Sequence, residues 1–66
     1  MTDHENTRDY AYYFTMGELL NTCIVSCEFA MHSLKQEEMY GHLKFASRNL
    51  QEALRVFLDY QNGRLT

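Results

Sequence analysis

The chain reads as an all-α protein, a two-helix antiparallel hairpin that dimerises into a four-helix bundle. Three observations predict this. Proline is absent and Gly17, Gly41 and Gly63 are the only glycines, so long helices are permitted over nearly the whole chain. Two apolar series keep an alternating three-and-four spacing, the period of helix packed on helix. Between them lies a single phase break, where the chain must turn.

Asn6 or Thr7 provides a cap for the first helix, and Asp9 sits favourably near its positive end. The first series then runs Tyr10, Tyr13, Gly17, Leu20, Ile24, Cys27, Met31 and Leu34. The second runs Met39, Leu43, Ala46, Leu50, Ala53, Phe57 and Tyr60. The step of five from Leu34 to Met39 fits neither a three nor a four, so a turn is expected at about residues 34–36. Ser33 followed by Gln36, with Glu37 and Glu38 leading the second series, has the form of a cap and an acidic first turn. Ending the first helix at Gly41 instead would put Glu38 on the seam and lose the register of Met39 and Leu43. Asn62-Gly63 after Tyr60 is a C-terminal stop signal. The expectation is helix over about 7–33, helix over about 37–61, and flexible ends at 1–6 and 63–66, all within one domain.

Folding the chain at this turn pairs positions whose numbers sum to about 72. Gly17 then falls near Ala53 and Phe57, Ile24 near Leu50 and Ala46, and Met31 near Leu43 and Met39. Tyr10 and Tyr13 fall beside Phe57 and Tyr60 at the open end. Gly17 costs roughly 1 kcal/mol inside a helix relative to Ala, which points to close approach by a neighbouring helix. The first helix also carries a second apolar stripe, Tyr12, Met16, Leu19, Cys23 and Ala30, and Phe45, Leu54, Val56 and Leu58 widen the second helix. A hairpin cannot cover two stripes, so a second copy, a docked protein or both must.

The size of the chain requires the same help. A domain of this length buries only about 60% of its unfolded surface, while ordering costs on the order of 1.5 kcal/mol per residue. Two cysteines are too few for a disulfide framework, no apolar run approaches the roughly 18 residues of a membrane helix, and the polar start Met1-Thr2-Asp3-His4-Glu5-Asn6 has no secretory character. A cytoplasmic homodimer is the expectation. A net charge of −3 argues against a protein that tracks phosphates.

No catalytic, cofactor or metal site is expected. Cys23 and Cys27, four apart on one helix, would have Cβ atoms about 6 Å apart where a disulfide needs about 3.8 Å. They read as small buried apolar residues. Zinc would need His32 or His42 to converge on them, and no Cys-x2-Cys or His-x3-His pattern is present. His4, His32 and His42 are scattered without nucleophile partners, and a two-helix hairpin has little room for a substrate pocket.

Two surfaces are candidates for recognition. Lys44, Arg48 and Arg55 line one face of the second helix and would form an RNA-binding surface, with Glu52 and Asp59 placed to neutralise Arg48 and Arg55. The first helix is acidic: residues 1–40 carry seven Asp or Glu against Arg8 and Lys35. Val25 and Phe29 lie one turn apart on its outer side, among Glu18, Thr22, Glu28 and His32. With the Tyr10, Tyr13 and Phe14 cluster they are the aromatic and aliphatic anchors expected to meet a basic partner, with Glu18 and Glu28 as the polar rim.

In size and topology the chain resembles the plasmid-encoded RNA-binding hairpins of the repressor-of-primer kind. In length, in the short polar leader before Arg8-Asp9-Tyr10-Ala11 and in its Tyr-rich first helix, it is similar to small phage-encoded helical-hairpin proteins of the anti-quorum-sensing kind. That second resemblance implies a non-enzymatic homodimeric anti-activator that binds the DNA-binding region of a host transcriptional regulator.

Overall fold

The computed structural model describes the backbone of residues 3–65 and the side chains of residues 8–63. Two helices, α1 (Asp3–Met31) and α2 (Gln36–Leu65), pack against each other. They run antiparallel, since Tyr12 meets Tyr60, Cys23 meets Ala46 and Phe29 meets His42. Those pairs sum to between 69 and 72, so the register follows from the position of the turn. The Cα envelope measures 51 × 18 × 9 Å, a flat two-helix slab.

The connection lies at residues 32–35, slightly ahead of its expected place. His32 N–H donates to the carbonyls of Glu28 and Phe29, and Ser33 N–H donates to that of Ala30. The Ser33 hydroxyl turns back onto the Phe29 carbonyl at 2.8 Å, so it closes α1 and does not cap α2. Lys35 is the residue whose carbonyl accepts the first helical bond of α2, from Met39 N–H. Glu37 and Glu38 occupy the first turn, where the helix dipole favours them.

Both helices extend beyond their expected outer ends, while α1 stops short of residue 33 at the turn. Helical backbone begins at Asp3 and continues through Asn62-Gly63 to Leu65. Gly63 takes no positive φ, so the left-handed cap that would stop the helix is not formed there. Gly41 is likewise an interior residue of α2. Residues 1, 2 and 66 of the expected flexible ends lie outside the described residues.

The packing corrects the expected seam. Facing α2 are Asp9, Tyr12, Met16, Leu19, Cys23, Ser26, Ala30 and Ser33, each one position before a member of the expected series. One residue is about 100° of helix rotation, so α1 presents its second stripe inward and turns the first one aside. On α2 the inward line is His42, Ala46, Asn49, Ala53, Val56 and Tyr60. Ala46, Ala53 and Tyr60 of the expected series lie on this line. Leu43, Leu50 and Phe57 are replaced inside by the residues just before them.

Side-chain size explains this choice. Among the described residues the buried positions are Ser26, Ala30, Ala46 and Ala53. Small residues let the two backbones approach, and Cys23 Sγ donates directly to the Ala46 carbonyl across the seam at 3.2 Å. Leu20, Ile24 and Leu50 at the same contacts would hold the helices apart.

Aromatic contacts hold the two ends of the slab. At the open end Tyr12 stacks on Tyr60 with ring centroids 3.8 Å apart, and the Tyr60 hydroxyl donates to the Asp9 carboxylate. The Arg8 guanidinium lies 5.7 Å from the Tyr60 ring centroid. Tyr10 and Tyr13, expected to make this clasp, are instead exposed. Near the turn Phe29 and His42 stack at 5.5 Å.

Candidate interaction surfaces

The inward turn of the small stripe leaves the bulky one outside. Leu20, Ile24, Met31, Leu43, Leu50 and Phe57 are all exposed, and Cys27 is an exposed free thiol beside them. On each helix these residues follow the inward line by one position. Because the helices are antiparallel and side by side, the same one-residue rotation on each brings both stripes to the same broad side of the slab.

Tyr13 and Gly17 continue this face toward the open end, and Tyr40, Ser47 and Leu54 flank it on α2. Between Tyr13 and Gln61 no Asp, Glu, Lys or Arg falls on it. Gly17 was expected to admit a close neighbour, but within the hairpin a Cβ at Gly17 would meet nothing within 4 Å. Helix α2 passes along a different side of α1.

The opposite side is mixed in character. There Glu18 and Val25 of α1 and Arg48 and Arg55 of α2 lie around Phe29 and Phe45. Phe29 is 58% exposed and Phe45 52%, while Val25 is 40% exposed. Phe14 and Glu28 lie on the far side of α1 from α2, and both are exposed. The structure therefore divides the expected partner-binding set. Tyr13 belongs to the charge-free face and Tyr10 stacks on Phe14 at the far side of α1, whereas Glu18, Val25 and Phe29 belong to the charged face.

Sequence reasoning missed Phe45 and His42 as neighbours of this second patch. The signal was available: the pairing sum that joins Phe29 to His42 also carries Phe45, one turn further along α2, to the same end of the slab.

The basic stripe of α2 is largely occupied. Arg55 Nε donates to Glu52 at 3.1 Å and its Nη1 to Asp59 at 3.0 Å, with a further Arg55–Glu52 ion pair from Nη2. Glu52 therefore pairs with Arg55, not with Arg48 as the four-residue spacing implied. The Arg55 hydrogen bond holds the Glu52 carboxyl below the usual carboxylate range, and the same bond raises Arg55. The Lys44 ammonium lies 5.9 Å from the Tyr40 ring centroid. Arg48 makes no ion pair among the described residues.

Cys27 departs from its expected burial, because it follows the outward stripe; Cys23 is partly buried on the inward one. His42 is turned onto Phe29, and among the described residues no three of His, Cys, Asp and Glu group as metal ligands. A shallow groove of about 350 Å³ lies at the open end, between Arg8 and Thr15 on one helix and Arg55 and Asp59 on the other. No described helix is long and apolar enough to cross a membrane.

No protein-family model, curated protein or solved structure matches the chain.

Proposed function

We propose that the protein acts by binding, without catalysis, as a small homodimeric inhibitor or anti-activator of a host protein. The observation that carries this reading is the inversion of size between inside and outside. The hairpin buries alanines and a serine, while its phenylalanines and most of its described leucines and tyrosines stay exposed. Surface of this kind is ordinarily covered by protein.

The target surface that fits best is the basic DNA-binding region of a transcriptional regulator. Phe29 and Val25 supply an apolar centre that a partner can desolvate, and Glu18 and Glu28 supply acidic groups around it. Acidic groups placed where a regulator holds phosphates would exclude DNA sterically and by charge. RNA binding through Lys44, Arg48 and Arg55 is the less favoured reading, since Arg55 already spends its donors on Glu52 and Asp59.

The test is competition. Immobilised protein is expected to retain a DNA-binding protein from host lysate, to release it to duplex DNA, and to lose it when Phe29→Ala is combined with Glu28→Arg. Unchanged capture by that double variant would place the docking surface elsewhere. Retention of RNA that collapses on Lys44→Glu with Arg48→Glu would replace this reading with the RNA one.

A further inference from the structure

We infer that the charge-free face is the seat of a second copy of this chain, and that the charged face is left free for a different protein. The inference rests on the homodimeric reading above and deepens it by naming the surface and its occupant.

Four observations point to a second copy. The first is charge. The chain carries a net charge of −3, yet the face centred on Leu20 and Leu50 has no ionised side chain between Tyr13 and Gln61. In a two-fold interface each patch meets its own copy, so a charged patch sets like against like, and this face avoids that cost.

The second is period. On α1 the exposed residues from Tyr13 to Met31 keep the three-and-four spacing of a coiled-coil seam, and Leu43, Leu50 and Phe57 recur every seven on α2. A repeat of this kind is what packing against further long helices of matching length demands. Two slabs meeting on this face place four such helices side by side.

Area is the third. The slab is 51 Å long and 18 Å across, about the extent needed to bury the roughly 800 Å² per partner of a stable protein complex. The fourth is stability. A hairpin whose buried residues are Ser26, Ala30, Ala46 and Ala53 has little core of its own and depends on its covering. A second copy is the one covering present wherever the chain itself is made. Gly17, open on the hairpin, then serves the close approach of a helix from the other copy.

The experiment is sedimentation equilibrium of the full chain at micromolar concentration with matched variants. Wild type is expected to sediment at twice the chain mass. Leu20→Glu and Leu50→Glu, at the centre of the face, are expected to weaken association at least about a hundredfold, because a carboxylate would be buried without a partner. Gln51→Glu and the Phe29→Ala, Glu28→Arg double variant are expected to remain dimeric. A dimer that survives Leu20→Glu and Leu50→Glu overturns the assignment of the face while leaving the dimer itself standing. A folded wild-type monomer overturns both.

Should the glutamate variants fail to fold, the native thiol supplies an independent reading. Cys27 lies on the face and is exposed on the single hairpin, so in the dimer of a Cys23→Ser chain its maleimide reaction is expected to be about tenfold slower than that of a thiol placed at Gln51 in a chain lacking both native cysteines. Equal rates overturn the proposal.

Discussion

Ala46 illustrates the rule that governs individual positions. Its methyl group is buried, and its carbonyl accepts the Cys23 thiol across the seam. Ala46→Leu would place three more carbons where none fit, and overpacking of this kind costs about 1–3 kcal/mol. Urea denaturation followed by far-ultraviolet circular dichroism is expected to show that loss. Cys23 would lose its acceptor geometry in the same variant as the helices separate. A midpoint equal to wild type would mean that the helices are not held at alanine distance.

Residues at the ends work differently from those in the middle. The centre of the hairpin is held by closeness, and the ends by the Tyr12–Tyr60 and Phe29–His42 stacks. At 5.5 Å the Phe29–His42 pair lies in the range of offset stacking, where aromatic pairs contribute about 0.5–1.5 kcal/mol beyond their burial. They also fix the register, because neither stack forms if one helix slides by a turn.

Among the elements, α2 carries the ion pairs. Arg55 joins Glu52, one turn before it, to Asp59, one turn after it, along an exposed edge. The Glu52 carboxyl is held below its ordinary value chiefly by the Arg55 hydrogen bond, with the charge of Arg55 contributing further. A carboxyl depressed on folding adds stability above its unfolded titration range, and that contribution is lost as pH falls through the folded value. Helicity of the wild type is thus expected to fall toward that of Glu52→Gln on acidification below the ordinary carboxylate range. The difference at neutral pH is expected to be small and to shrink further in molar salt, since the pair is exposed. A difference between the two that grows on acidification would contradict the pairing. Arg55 is raised further from neutrality and contributes no transition in this range.

Helix α1 contributes surface more than charge. From Tyr10 to Met31 its only ionised side chains are Glu18 and Glu28, and neither lies on the inward line or on the charge-free face. An element apolar on two adjoining sides is suited to the middle of a bundle. Helix α2 packs against one of those sides, and the proposed second copy would take the other.

For the whole molecule, the proposed arrangement links folding to concentration. If the charge-free face is covered by another chain, folding and association are one equilibrium, and the melting temperature depends on the amount of protein. Thermal melts spanning a hundredfold dilution are expected to shift downward as the protein is diluted. A melting temperature that ignores dilution would describe a self-sufficient hairpin, which its alanine core does not favour. The same arrangement separates two tasks between two sides of a thin slab. In that proposal self-association would use the side without charge, and recognition of a basic partner would use the side that carries Glu18, Val25 and Phe29.

The amino-acid sequence by itself determined that there are two helices, where the chain turns between them, and which residues of α1 lie level with which of α2. These follow from local terms: the absence of proline, the apolar period, and the acidic start of α2 after a break in phase. It also showed both apolar stripes of α1, one residue apart. Only the tertiary structure decided which of them turns inward. Period and hydrophobicity favour Leu20 and Ile24 over Ser26 and Ala30. The distance between two helices, however, depends on the residues that both offer at each contact, and Ala46 and Ala53 match the small stripe. That match is a property of the pair, absent from either helix read alone, and it is what leaves the larger side chains outside.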